Sequence, residues 1–245
     1  MMILFAIIAS AMLNGSPVQQ RFDAGETLDY SLSWLRITGG GARMTIAPHG
    51  EGEKAGYRIT SVAKSTRGFS RIFRVRDEIE TIVAHHDFST LRYTKRLDEE
   101  EDKIDEVTTV EDGVATRVRK KVKKVNVPRP VYDPISVIYY LRLLDLAEGR
   151  VHELTLVADG KLYTVHAKVI RRETIDTPAG SFKTVLVEPA MESGGKTRDE
   201  KMSIWYSDDE RRIPVRIRSE VKVGAITATL KAVRNGAGPA EPPIN

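Results

Sequence analysis

The sequence of 245 residues contains no cysteine. That excludes disulfides, thiolate metal centres, a cysteine nucleophile and a lipid-modified N-terminal cysteine together. Catalytic signatures are missing as well: no Gly-x-Ser-x-Gly elbow, phosphate-binding Gly-rich loop or His-Glu-x-x-His motif occurs, so an enzyme is not expected. Charge of one sign is not in excess. The 38 basic and 34 acidic residues are mostly interleaved and leave a formal net charge of +4, which does not imply nucleic-acid binding.

Long apolar runs are confined to the N-terminus. Residues 1–20 carry no charged side chain, and Ile3 to Leu13 has the length of a signal-peptide core while being too short to span a bilayer as a helix. The expected reading is a secretory signal, hence a periplasmic or exported protein with no membrane span in the mature chain. No Lys or Arg precedes the run, and cleavage is open between Ala9-Ser10-Ala11 and the Leu13 to Ser16 region. The alternative is a first buried strand, against which the loop signal Asn14-Gly15-Ser16-Pro17 speaks.

Hydrophobic residues make up 41% and charged residues 29% of the chain, enough for one large all-β domain or two small ones. One stretch has helical periodicity, Asp133 to Gly149, and predicts a helix over about 133–148. Asp133 can accept from the free N–H groups of the first turn, Pro134 tolerates the first helical position, and Gly149 can take the left-handed conformation that ends a helix. The first half is apolar nearly all round. In the second half Arg142, Asp145 and Glu148 share one arc, so the helix is expected to be buried first and then to emerge into water.

Elsewhere the period is two. Leu28, Tyr30, Leu32 and Trp34 alternate with Asp29, Ser31 and Ser33 up to a turn expected at Gly39-Gly40-Gly41. Strands follow at Met44 to Ala47, Tyr57 to Ala63, Ile72 to Val83, Leu91 to Leu97, Lys103 to Val110 and Val114 to Val125. After the helix, Val151 to Val157 and Lys161 to Arg172 flank a hairpin turn at Ala158-Asp159-Gly160. Further strands are expected at Phe182 to Val187, Met202 to Tyr206, Ile213 to Ile217 and Ile226 to Val233. The predicted fold is mainly β: a strongly curved antiparallel sheet, or partly open β-barrel, wrapped around one buried helix. Residues 21–234 read as a single domain and the Gly- and Pro-rich residues 235–245 as a disordered tail.

Several spaced pieces bear on family. They are Phe22-x-x-Gly25-Glu26-x-Leu28-x-Tyr30, Tyr132-Asp-Pro-x-Ser136 through Tyr140-Leu-Arg142, Glu173-x-Ile-x-Thr-Pro-Ala-Gly-x-Phe182, and Trp205-x-Ser-Asp208 with Arg212-x-Pro-Val215. In combination and order the chain resembles the bacterial domain of unknown function 3108 family. The resemblance implies an exported, β-rich envelope protein and assigns no reaction and no catalytic residues.

Two constellations are candidates for function. A curved sheet around an apolar helix can leave a greasy cleft, whose lining is expected from Trp34, Ile138, Tyr139, Tyr140, Leu141 and Trp205; aromatics at such positions are more often plain core. Arg117, Arg119, Lys121 and Lys123 fall on one face of an expected strand and could meet anionic lipid headgroups, against the plainer reading of cross-strand pairing with the acidic run Asp98 to Glu106. His85 and His86 point to opposite faces of a strand, and His166 sits among Thr164 and Lys168, so no metal or cofactor is expected. Asp208, Asp209 and Glu210 cluster in a turn, where an Asp bonding its own backbone is the expected role. The leading expectation is a non-enzymatic envelope protein holding a lipid, a lipoprotein or another apolar ligand. The alternative is a structural or protein-interaction module without a small ligand.

Overall fold

The structure, a computed structural model, describes residues 22, 24–35, 37–52, 55–68, 70, 74–99, 102–197, 201–221 and 224–236. The expected signal segment lies outside them, as does the tail beyond Gly236. Lying wholly within the described residues are fifteen strands and one α-helix: β1 (Glu26–Trp34), β2 (Ile37–His49), β3 (Gly56–Ser65), β4 (Val75–Ala84), β5 (Thr90–Glu99), β6 (Asp102–Glu111), β7 (Val114–Val118), β8 (Val122–Asn126), α1 (Ser136–Leu141), β9 (Val151–Ala158), β10 (Lys161–Thr177), β11 (Gly180–Ser193), β12 (Lys196–Thr197), β13 (Met202–Ser207), β14 (Pro214–Glu220) and β15 (Ala225–Asn235).

The strands form one antiparallel sheet in the order β8-β7-β6-β5-β4-β3-β2-β1-β15-β14-β13-β11-β10-β9, with β12 paired to β11. Near-neighbour hairpins account for most of it, and the first strand joins the last. Leu28 stands opposite Val233 and Trp34 opposite Ile226. Burial on β1 explains why it belongs in the middle: Glu26 through Tyr30 are all buried, both faces included. On the face away from the main core, the Asp29 carboxylate is neutralised by Arg43 at 2.6 Å from β2 and Arg234 at 2.6 Å from β15.

The edge strands β8 and β9 do not pair, yet the sheet curves until they face each other. The chain between β8 and α1 stitches the gap. Thr90 N–H donates to the Val131 carbonyl at 2.9 Å, Tyr132 N–H to Thr155 at 2.9 Å, and Val157 N–H to the Tyr132 carbonyl at 2.8 Å. A small apolar cluster of Val110, Ala115, Val127, Val131 and Val157 fills the seam. Such a bridge satisfies backbone groups that an open edge would leave to solvent or to a second chain.

The helix is shorter than its sequence pattern, six residues in place of about sixteen. Its start is well held: the fully buried Asp133 carboxylate accepts from the N–H groups of Ile135 at 2.8 Å and Ser136 at 2.9 Å, and from the hydroxyls of Thr81 at 2.5 Å and Thr90 at 2.7 Å. Its end comes early because Arg142 does not turn toward water. That side chain is 1% exposed and makes a bidentate pair with Glu26 at 2.7 and 3.1 Å. Arg212 then donates to the carbonyls of Arg142 and Leu144, taking up acceptors that helical N–H groups would otherwise have met. Asp145 and Glu148 are exposed, as expected, but on irregular chain.

A second difference concerns the glycines at 39–41, which lie inside β2 rather than in a turn. The chain reverses at Leu35, which takes a positive φ of 48°. Gly40 is small for a packing reason: a Cβ there would come within 2.5 Å of the Lys64 carbonyl oxygen on β3. Gly56 is tighter still, with the Val83 carbonyl oxygen 2.0 Å from where a Cβ would sit. Gly56→Ala is therefore expected to cost roughly 1–3 kcal/mol, since backbone cannot swing aside as a side chain can. Urea unfolding would measure it, and a loss under half a kcal/mol, within the ordinary range for exposed sites, would refute the close approach.

Candidate functional site

The hairpins that flank β1 open a cleft of about 730 Å³ at the end of the sheet where Trp34 lies, a size typical of small-molecule sites. Its floor is Ile135 and Ile138 together with Tyr30 and Met44, and its walls include Leu32, Ala42, Ala63, Ile217 and Ala228. The alternation read in the sequence does this work: Tyr30, Leu32 and Trp34 leave β1 on one face, and that face lines the cleft. Polar lining is sparse, and apart from Ser61 it sits near the strand ends at the opening: Ser33, Lys64, Ser65 and Asp77. The floor is fixed from outside the cleft. Tyr206 donates to the Ile138 carbonyl at 2.9 Å and Tyr30 to the Pro214 carbonyl at 2.8 Å. Burial raises the hydroxyl pKa of Tyr30, Tyr139 and Tyr206 well above the ordinary range, so all three stay protonated near neutral pH and Tyr30 and Tyr206 keep their donor protons.

Of the six residues expected to line a cavity, Trp34 and Ile138 do so. The other four are elsewhere. Tyr139 packs edge-on to Phe22 at 5.9 Å and Leu141 is core; Tyr140 stacks on Tyr132 at 4.4 Å. Trp205 is on the opposite face of β13 from Ile204 and Tyr206, donating to Glu173 at 2.6 Å beneath the Arg216 guanidinium. Among the lining residues missed are Met44, Ala63, Ile217 and Ala228, small or aliphatic side chains on strands far apart in sequence.

The basic cluster also folds differently. Residues 119–121 form a bend, so Val114 to Val125 is a hairpin with Arg117 opposite Lys123 rather than one strand with a charged face. Arg117 is buried and donates twice to the buried Glu106 carboxylate, at 2.6 and 3.0 Å, which removes it from any surface role. Arg119, Lys121 and Lys123 remain exposed. The pairing with the acidic run is thus real for Arg117, through Glu106.

His85 stacks on Tyr57 at 5.4 Å. Among the described residues no three His, Asp or Glu side chains gather as a metal ion requires. Asp209 accepts from the N–H groups of Arg211 and Arg212, each at 3.0 Å, the turn-forming role expected of that acidic cluster.

The architecture defines a class: a barrel-like, open antiparallel β protein with an apolar cleft at one end. Within it, the chain belongs to the family described as a protein of unknown function, DUF3108, whose sequence profile matches residues 29–231. Among solved structures it is similar to a beta-barrel-like protein of the domain of unknown function DUF1849 from Brucella abortus, with a TM-score of 0.62, 12% identity, and coverage of 88% of this chain and 99% of that one. At that identity the likeness concerns the fold. Weaker matches are a lipoprotein candidate from Parabacteroides distasonis (TM-score 0.36, 14% identity, 87% and 98% covered) and an exported-protein candidate with a YmcC-like fold from Bacteroides fragilis (TM-score 0.34, 13% identity, 87% and 97% covered). A search of curated protein sequences finds no match. Among the described residues no helix is long and apolar enough to cross a membrane.

Proposed function

We propose that this protein is a non-enzymatic, extracytoplasmic carrier that holds an apolar or amphiphilic molecule, a lipid or the acyl part of a lipoprotein, in the cleft above Ile135 and Ile138. The observation that carries the reading is a space of about 730 Å³ floored by aliphatic and aromatic side chains, with most of its polar groups near the opening. That gradient suits a molecule whose tail enters and whose head stays in water, because an apolar tail leaving water supplies the affinity and a polar head would lose hydration on the floor. In this reading the sheet wraps around α1, which serves as the base of the binding site. The lack of charge in residues 1–20 and the apolar run from Ile3 to Leu13 support export.

Organic extraction of purified protein followed by mass spectrometry should recover a stoichiometric lipid. Ala63 lines the wall, and Ala63→Trp is expected to fill the space and weaken binding of a fluorescent fatty acid by roughly tenfold or more while the unfolding midpoint stays close to wild type. An empty extract, together with an affinity that Ala63→Trp leaves unchanged, would reject the carrier and leave a structural or protein-interaction module.

A further inference from the structure

Six of the seven large aliphatic side chains exposed among the described residues are Leu35, Ile37, Val118, Val122, Val221 and Ile226; the seventh is Val151. All six stand at strand ends, and the topology places those ends together. In a sheet of antiparallel hairpins, the turns after β1, β3, β5 and β7 share one end, and so does the turn between β14 and β15, because Ile226 is paired with Trp34. The sheet is staggered as well as curved. The β9–β10 turn meets the far edge, with Gly160 against the side chains of Arg117 and Lys123, and this stagger brings the β7–β8 turn level with the others. Val151, at the start of β9, lies at the opposite end. The shared end is the one at which the cleft opens, since Trp34, Gly40, Ser65, Val75, Val221 and Ile226 line it there.

The tips have a common composition. In sequence they read Leu35-Arg36-Ile37, Val118-Arg-Lys-Lys-Val122 and Val221-Lys222-Val223, aliphatic residues set around basic ones. Arg119, Lys120 and Lys121 are exposed beside Val118 and Val122. The first and third tips touch, for Leu35 packs so closely over Gly224 that a Cβ there would meet its side chain at 2.3 Å. Aliphatic side chains beside basic ones suit the boundary between acyl chains and headgroups.

We propose that this rim docks on the surface of a phospholipid bilayer, with the six aliphatic residues entering the headgroup layer and Arg119, Lys120 and Lys121 meeting lipid phosphates. A bilayer fits better than a protein partner. The apolar groups fall in two patches, one on the touching first and third tips and one at Val118 and Val122 with Arg119, Lys120 and Lys121 between them; a fluid surface can receive both patches, whereas a protein interface wants one contiguous packed centre. The β5–β6 turn reads Glu99-Glu-Glu-Asp102 in sequence at the same end. It opposes anionic lipid, so insertion of the aliphatic residues supplies most of the attraction and the basic tip adds a smaller, salt-sensitive part. The inference stands apart from the carrier reading, because it needs no ligand in the cleft.

Flotation of the full chain with vesicles of phosphatidylcholine, alone or mixed with phosphatidylglycerol, tests it. The protein is expected to float with both and somewhat more with the mixture. The double variant Ile37→Ser, Val221→Ser should lose roughly tenfold in partition to either. Lys120→Ser with Lys121→Ser should remove only the increment due to phosphatidylglycerol, and Val151→Ser should change nothing. Ala63→Trp, which fills the cleft, should float like wild type, so the two readings can fail separately. Wild-type protein that stays unbound to both compositions, equal losses in the Val151 variant, or a photocrosslinker at position 37 that labels a protein and no lipid would overturn the proposal.

Discussion

Arg142→Met is expected to destabilise the protein by roughly 3–5 kcal/mol, the range for stranding one member of a buried ion pair. The guanidinium is 1% exposed and its partner Glu26 7% exposed. It also donates to the Arg211 carbonyl at 2.9 Å and lies 4.8 Å from the centre of the Phe22 ring and 5.2 Å from that of Tyr139. Burial alone would lower the pKa of Arg142, but the charge and hydrogen bonds of Glu26, with Tyr139 and Tyr30, outweigh it and leave the pKa above its ordinary value. The guanidinium therefore stays charged at any pH at which the protein folds. Methionine fills much of the volume, yet among the described residues it leaves Glu26 with only the half-exposed Arg211 at 3.2 Å to balance it. Because most of the cost is the stranded carboxylate, the double variant Arg142→Met, Glu26→Leu should lose less than Arg142→Met alone. Unfolding in urea for wild type, both single variants and the double variant gives the coupling directly. For a domain of this size the single loss corresponds to a fall in Tm on the order of 10 °C. Additive single losses would mean that the pair is not coupled.

Asp133→Ala should be the next most damaging change, at about 3–4 kcal/mol, because each abandoned buried donor costs about 1–3 kcal/mol and some relax. One carboxylate here serves two backbone N–H groups and two hydroxyls, from Ile135, Ser136, Thr81 and Thr90. It thereby ties α1 to β4 and to the start of β5. Asp133→Asn keeps an acceptor for the first turn, and its NH2 group can donate to the threonine oxygens, so a loss of only about 1 kcal/mol is expected. Amide exchange at Ser136 and Val137 distinguishes the cases. Fast exchange in the Ala variant with near-native protection in the Asn variant supports the cap, while equal protection in both would remove Asp133 from that role. Since Ile135 and Ile138 form the floor of the cleft, the Ala variant should also bind an acyl probe more weakly than its loss of stability alone explains.

Where a feature depended on neighbours in sequence, it could be read there. The period of two placed β1 and its inward face, and with it Trp34, as well as β3, β5, β6, β9 and β10. The turn at Asp159-Gly160 takes the two positive φ values, 51° and 69°, that its residue types allow. Asp133 and Pro134 marked the start of the helix to within two residues. The same periodicity, applied strictly, would have chosen Tyr206 over Trp205 for the interior, since adjacent strand residues face opposite ways.

What the order of residues determined by itself is a β-rich chain with one short helical start and no thiol chemistry, because strand alternation, turn types and capping are set within a few residues. The tertiary structure alone decided that Arg142 pairs with Glu26 across 116 positions, that Gly40 serves close strand approach rather than a turn and Gly56 likewise lies against a neighbouring strand, that Arg117 is spent on Glu106, and that residues from six strands share a cleft. Those outcomes depend on which distant strands lie side by side, and an arginine has the same local pattern whether it ends up in water or beside a buried carboxylate.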